Sequence, residues 1–508
     1  MSESSDSSIR ALFKGGSIVF LGSLVGMALS FLSIYVVGRW LGPDGYGAIV
    51  LGSTLLTAVS TLVLLGMNTG IGRYLPRYDD PERRRGVLVS GFQLVLPLSV
   101  TSAAIMIFFA DRIAADLFGD PAIAPIIQVF ALALPIASIE KLTVGGIQGV
   151  KRTAPKVYVE NITAHLTRLL LAVAILLAGY GAFGVAFAYL FGHVAAAALG
   201  LYYMWKYTPL FERIPTITMR KELLTFSAPL VVSAMMVKVL HDLDTLLLGY
   251  FSTTADVGIY GFIYPIATTV SIVLTSFAFL FMPMLSELHS DGDTGEMKRL
   301  YQVITKWIFV VTLPLFAMLF VFSDVILPFI APEYAPGALA LSILVLGFMT
   351  HAVAGPNYKA LTAVGETRLV MYDNIGAAVL NVALNLLLIP RYSFTGAAVA
   401  TVLSYVAVNL AFSYQLYTRT GIHPLTTALV RPGVASLVAV GALFAVSRTI
   451  DVTIPLFLVL ATLFMIAYAV IVLKLGGVER EEVMLVVSLE ERLGMNLGPM
   501  KAVIRRFM

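Results

Sequence analysis

Gly38-Arg-Trp-Leu-Gly-Pro-Asp-Gly-Tyr-Gly47 returns 211 residues later as Gly249-Tyr-Phe-Ser-Thr-Thr-Ala-Asp-Val-Gly258, with a glycine at each end of both copies. Working outward, Glu160-Asn161-Ile162 returns as Asp373-Asn374-Ile375 at a displacement of 213, and Gly184-Val-Ala-Phe-Ala188 as Gly396-Ala-Ala-Val-Ala400 at 212. Three landmarks in one order at nearly constant spacing read as an internal repeat, so the chain is expected to contain two copies of one bundle.

The bundles are expected to be helical and to lie in a membrane. The 508 residues are 58% hydrophobic and 13% charged, with mean hydropathy +0.89, about half the charge of an average soluble domain. A soluble multidomain enzyme is excluded. The absence of cysteine excludes a disulfide framework, Cys-ligated zinc, iron-sulfur clusters and thiol catalysis. A net charge of +4 gives nucleic-acid binding little support. The opening residues MSESSDSSIRALFKGG are polar and lack the apolar core of a cleavable signal peptide.

Apolar windows of about 20 residues, cut at charged or turn-forming breaks, predict fourteen spans. Six fall near 17–38, 46–67, 87–110, 125–148, 157–178 and 183–205. Six more fall near 225–249, 258–283, 303–322, 339–363, 369–389 and 396–417, and two near 428–447 and 454–475. The expected domains are an N-lobe (1–205), a cytosolic linker (206–222), a C-lobe (223–417), a terminal helix pair (418–475) and an amphipathic cytosolic tail (476–508). With the N-terminus inside, roughly 25 of the 34 Lys and Arg residues fall on the cytosolic side. Only Arg39, Arg112, Arg391 and Arg448 fall in outer loops. Both termini are therefore expected in the cytosol of a cell bounded by this membrane. Six spans per copy give both lobes one orientation, so their relating axis should follow the membrane normal. The outer loops are too short for an external catalytic domain.

Ionisable groups inside spans are costly and mark functional candidates. The seventh span carries Lys238 near its middle, with His241 and Asp242 on the same face at i+3 and i+4. Asp244 lies about 120° around that helix. Lys238 and Asp242 either pair to lower their burial cost or line a cavity. Arg168 lies mid-span on the fifth segment, with Glu140 as its expected structural partner. Lys141, Lys306 and Lys359 are expected to snorkel toward inner span ends. His165, His193 and His351 stand singly, without the i+3 or i+4 partner of a metal site, and are read as core residues; no metal or cofactor is expected. Asn374, Asn381 and Asn385 form an amide stripe read as helix packing. Prolines 135, 229, 265, 283 and 314 fall within or at the ends of spans, and the sequon Asn161-Ile-Thr163 lies in a span and should stay unglycosylated. Basic residues near the midplane of a two-lobed bundle point to an anionic cargo.

The Arg39-Trp-Leu-Gly-Pro-Asp-Gly-Tyr-Gly47 turn, Asp244-Thr-Leu-Leu-Leu-Gly-Tyr-Phe251, Val257-Gly-Ile-Tyr260 and Pro332-Glu-Tyr-Ala335 together resemble the polysaccharide-transporter (O-antigen flippase) family of the multidrug/oligosaccharidyl-lipid/polysaccharide superfamily. The resemblance covers nearly the whole chain. It implies transfer of a polyprenyl-phosphate- or polyprenyl-diphosphate-linked oligosaccharide from the cytosolic to the outer leaflet, with glycosyltransferases as functional partners. Beside it, the residues suggest that Lys238, with Arg168 and Arg73, attracts the phosphate, while Asp244 or Asp242 takes a coupling proton or sodium ion. The Arg39–Gly47 turn is read as structural. Two alternatives remain at this point. One is a drug or metabolite exporter of the same superfamily; the other is a membrane polymerase or ligase acting on lipid-linked sugars.

Overall fold

A computed structural model describes residues 2–475, with side chains described from Ile18 onward except at positions 20, 228–241, 278–280 and 283. The expected tail at 476–508 lies outside the described residues, as do the side chains of Lys238 and His241.

Every regular element among the described residues is helical. Eleven helices are long and apolar enough to cross a bilayer, which makes this a multi-pass membrane protein. In lipid each backbone N–H and C=O must find its partner within the segment, and a helix achieves this. Two of the eleven contain a break. The Ser2–Val63 helix turns at Gly42 (φ 68°, ψ 179°), a left-handed backbone that glycine adopts without strain, and Pro43 restarts the helix beyond it. Thr367–Thr420 breaks at Ser393 (φ 48°, ψ −133°). Ser393 Oγ lies 2.7 Å from Ser252 Oγ, which helps hold this unusual backbone in place. Elsewhere the polar connectors supply caps. Asp80 accepts from Glu82 N–H, Asp120 from Ala122 N–H, Asp293 from Glu296 N–H and Thr426 from Leu429 N–H.

The chain forms two compact units. The first comprises the residues up to Pro265 together with Ala378–Ala397. Its core gathers Met67, Ile71, Leu75, Leu142, Ile147, Val159, Met204 and Leu223 from six chain segments. Small residues let these helices approach closely: a methyl on Gly200 would overlap Thr143, and one on Gly145 the Asn68 carbonyl. The helix carrying Asn161 passes Gly26, whose added Cβ would lie 2.7 Å from the Asn161 carbonyl oxygen. The second unit comprises Ile266–Ala377 with the described part of Ala398–Met508. Tyr301 is fully buried there and its hydroxyl donates to the Ala354 carbonyl. Asn357 Nδ2 donates to the Asn409 carbonyl at 3.2 Å and to Ser413 Oγ at 3.1 Å. His351, half-buried, lies against Phe348 and Tyr405, with its Nδ1 3.2 Å from Asn409 Nδ2. Lys306, expected to snorkel, is instead buried at 5% exposure. It lies on the inward face of Thr294–Val321, next to the fully buried Thr305, so its aliphatic stem is packed by protein.

Candidate functional site

Among the described residues of the first unit, two buried polar groupings stand out. The first centres on Asp244, near the end of the Arg220–Phe251 helix. Its carboxylate is 0% exposed, and in a low-dielectric interior that state demands hydrogen bonds or neutralisation. Asn385 Nδ2 donates to Asp244 Oδ1 at 2.6 Å, and the Tyr260 hydroxyl donates to Asp244 Oδ2 at 3.0 Å. Asn385 Nδ2 also reaches Asn381 Oδ1 at 3.1 Å. Helical spacing explains the amide pair: positions i and i+4 share a face, and both asparagines are buried at 1% exposure or less. The amides are not saturated. Asn385 Oδ1 and Asn381 Nδ2 are buried with no hydrogen-bond partner, leaving one amide oxygen and one amide N–H beside a carboxylate. Such a set can take up a proton or a small cation. Asp242, two residues earlier, is half-buried.

The second grouping joins three helices. Glu140 on Ala124–Gly149 is 2% exposed. His193 Nδ1 lies 2.6 Å from Glu140 Oε2, and Lys141 Nζ 3.7 Å from Glu140 Oε1. Arg168, on Ala164–Leu177, does not pair with Glu140 as expected. Its Nη2 meets His165 Nδ1 at 2.9 Å and its guanidinium lies 4.6 Å from the Tyr189 ring centroid. The reason is that His193, 53 residues along the chain from Glu140, occupies the carboxylate. His193 is therefore a carboxylate partner rather than a packing residue, and Lys141 is held beside the same carboxylate. Arg168 keeps one buried nitrogen, Nε, without an acceptor. Arg73 is exposed at the end of Met67–Tyr74, with its guanidinium 4.2 Å from the Phe226 ring centroid. Lys359 lies over Tyr358 at 5.0 Å.

Of the residues singled out from the sequence, Asp244 thus has a built environment, and Arg168 and Arg73 have separate aromatic ones. Tyr260 and the role of Asn385 go beyond the sequence reading, although a signal for each is present in the sequence: Tyr260 ends the Val257–Tyr260 motif, and Asn385 ends the amide stripe. Among the described residues no group of three or more His, Cys, Asp or Glu is arranged to hold a metal ion.

The chain is 25% identical over 461 residues to the probable low-salt glycan biosynthesis flippase Agl15 of Haloferax volcanii, covering 90% of this chain and 94% of that one. Its fold is similar to that of the lipid II flippase MurJ in an inward closed conformation, at TM-score 0.73, 13% identity, 90% of this chain and 98% of that one. It is also similar to an inward-facing multidrug resistance MATE family transporter of the MOP superfamily, at TM-score 0.68, 16% identity, 78% of this chain and 94% of that one. Residues 229–387 match the MatE family model. Residues 12–289, more than half of the chain, match the family model described as polysaccharide biosynthesis protein, and the chain belongs to that family.

Proposed function

We propose that this protein is a flippase that moves a polyprenyl-phosphate- or polyprenyl-diphosphate-linked oligosaccharide from the cytosolic to the outer leaflet by alternating access. The observation that carries the reading is the end-to-end match to a probable glycan flippase across 90% of the chain. The MatE match over 229–387 favours a drug or metabolite exporter as the second reading.

The finer organisation belongs to the same proposal. Counting each broken helix, Ser2–Val63 and Thr367–Thr420, as two crossings and adding Arg220–Phe251 takes the eleven spans to fourteen. Lobes at 1–205 and 223–417, related by the 211-residue repeat, are supported by a reciprocal contact. A Cβ on Gly47 would overlap the Thr254 carbonyl, and one on Gly258 the Pro43 carbonyl; Pro43 and Thr254 are themselves 211 apart. Two equivalent stretches touching through equivalent atoms is what a two-fold axis between repeats produces. Both termini are cytosolic in this reading, the membrane is the cell membrane, and glycosyltransferases act before and after the flip.

Within it, Lys238, Arg168 and Arg73 attract the phosphate, and Asp244, with Asn385 and Tyr260, is the group that takes the coupling proton or sodium ion; Asp242 is its alternate. No group here is asked to break a covalent bond, so the reading is a carrier and not an enzyme. The test is mass spectrometry of lipid-linked glycans in cells lacking the chain, with external glycosidase added to spheroplasts. Intact glycan that accumulates and stays protected is expected. An unchanged, accessible pool with raised sensitivity to cationic drugs would put the exporter in its place.

A further inference from the structure

A cavity of about 350 Å³ opens at one end of the first unit, where the Met67–Tyr74, Ala124–Gly149 and Ala182–Tyr207 helices stop and Pro81–Phe108 begins. It is apart from both polar groupings described above. Its floor is apolar: Leu75 is fully buried and meets Gly149, where an added Cβ would come within 2.9 Å of Leu75 Cβ. Its rim carries Arg84, Lys151 and Arg152 against the single carboxylate of Asp79, with Tyr78 and Tyr207 beside them.

Three consecutive arginines show why Arg84 stands out. Arg83 Nε lies 4.0 Å from Asp80 Oδ2 with its side chain exposed. Arg85 donates to the Leu210 and Ile214 carbonyls and to Thr216, clasping the 210–216 connector. Arg84 lines the cavity, and its Nε is buried with no acceptor. A buried guanidinium N–H without an acceptor is unfavourable until an anion supplies one.

The other two cations line the same opening from the exposed turn after Ala124–Gly149. Arg152 lies with its guanidinium 4.9 Å from the Tyr207 ring centroid, a cation–π contact that biases its placement toward the opening. Lys151 has φ 56°, in the turn closed by Lys151 N–H to the Gln148 carbonyl and Arg152 N–H to the Ile147 carbonyl. Glycine or asparagine occupies such a helix-ending position without strain. A lysine here bears that strain and brings an ammonium to the rim.

We propose that this cavity binds a phosphate or diphosphate group, with Arg84 supplying the central contact. Planar forks and tyrosine hydroxyls suit tetrahedral oxyanions. The volume is at the low end for small-molecule sites, which fits a head group and not a whole oligosaccharide. The phosphate can come from a lipid at the membrane boundary or from a soluble nucleotide. Only the lipid-cargo source rests on the flippase reading, and the binding itself is independent of it.

The experiment uses the full chain in phosphatidylcholine nanodiscs, titrated calorimetrically with inorganic pyrophosphate, uridine diphosphate and farnesyl diphosphate. Saturable pyrophosphate binding is expected. Arg84→Gln should weaken it by about tenfold or more, and Arg83→Gln, which removes the same charge one residue away, by less than about twofold. Lys151→Gln and Arg152→Gln provide the same comparison should Arg84→Gln fail to fold, as judged by its melting temperature. Tighter binding of farnesyl diphosphate than of pyrophosphate assigns the source to the prenyl lipid. Loss of pyrophosphate binding in nanodiscs containing phosphatidylglycerol assigns it to phospholipid, and equal affinity for uridine diphosphate to a soluble nucleotide. Absence of pyrophosphate binding, or equal weakening by Arg83→Gln and Arg84→Gln, overturns the proposal. None of these readouts involves transport, so failure here leaves the glycan-accumulation test untouched.

Discussion

Gly47→Ala is the substitution with the most direct physical consequence. The added carbon would fall inside the contact radius of the Thr254 carbonyl oxygen, and the mirror change Gly258→Ala would do the same to the Pro43 carbonyl. A backbone carbonyl cannot swing aside like a side chain, so the two helices must part. Overpacking of this kind costs about 1–3 kcal/mol. Taking about 2 kcal/mol, the folded-to-unfolded ratio falls roughly thirtyfold, and the melting temperature falls by about 4 °C or somewhat less in a chain of this size. Because the contacts are reciprocal, one separation relieves both clashes. The Gly47→Ala/Gly258→Ala double variant should therefore lose clearly less than the two singles added. Gly441→Ala is the control. It sits inside Thr427–Ser447 with nothing within 4 Å of an added Cβ, and should be neutral or stabilising by up to about 1 kcal/mol. Thermal unfolding of the purified chain in detergent reads the four variants beside the parent. A Gly47→Ala protein that melts with the parent, or strict additivity in the double variant, would refute the reasoning.

Three further outcomes are expected. His193→Ala strips Glu140 of its 2.6 Å partner inside the first unit and should destabilise by about 2–3 kcal/mol, with His193→Gln recovering part; equal melting of His193→Ala and parent would show that Lys141 suffices. Asp244→Asn keeps shape while removing charge, so proteoliposomes carrying it should no longer respond to an imposed proton or sodium gradient, and a retained response would remove Asp244 from coupling. Lys238→Ala should slow cargo transfer about tenfold or more with partial recovery in Lys238→Arg, read as glycosidase-accessible lipid-linked glycan; a normal rate eliminates Lys238 as a phosphate contact.

The helices were legible because lipid demands long apolar runs. The segment expected at 428–447 forms as Thr427–Ser447, and 454–475 as Ile454–Leu475. The turn at Gly42 was legible because glycine followed by proline at a left-handed position leaves few other conformations. Which faces meet was not legible. In water an apolar stripe marks the inward face, but in lipid both faces are apolar and the contrast disappears. Lys306 was accordingly placed at an interface although it packs inward. Glu140 was assigned to Arg168 when His193 holds it. Asp244 and Asn385 are 141 residues apart, and nothing in local spacing joins them. Asp244 stands out in the sequence all the same, because a carboxylate in an apolar run is visible in one dimension even when its partners are not.

That separation has a consequence for biosynthesis. The first unit is not finished when residue 265 leaves the ribosome; it needs Ala378–Ala397, which is made after the intervening Ile266–Ala377 stretch. At roughly 5–20 residues per second, Asp244 waits on the order of 10 s for Asn385, already threaded into the bilayer without that amide donor. During that interval the carboxylate has the Tyr260 hydroxyl within reach but not the Asn385 amide. The nascent chain therefore passes through a window in which a quality-control protease can recognise it, and chains stopped at residue 377 should be cleared while full-length chains persist.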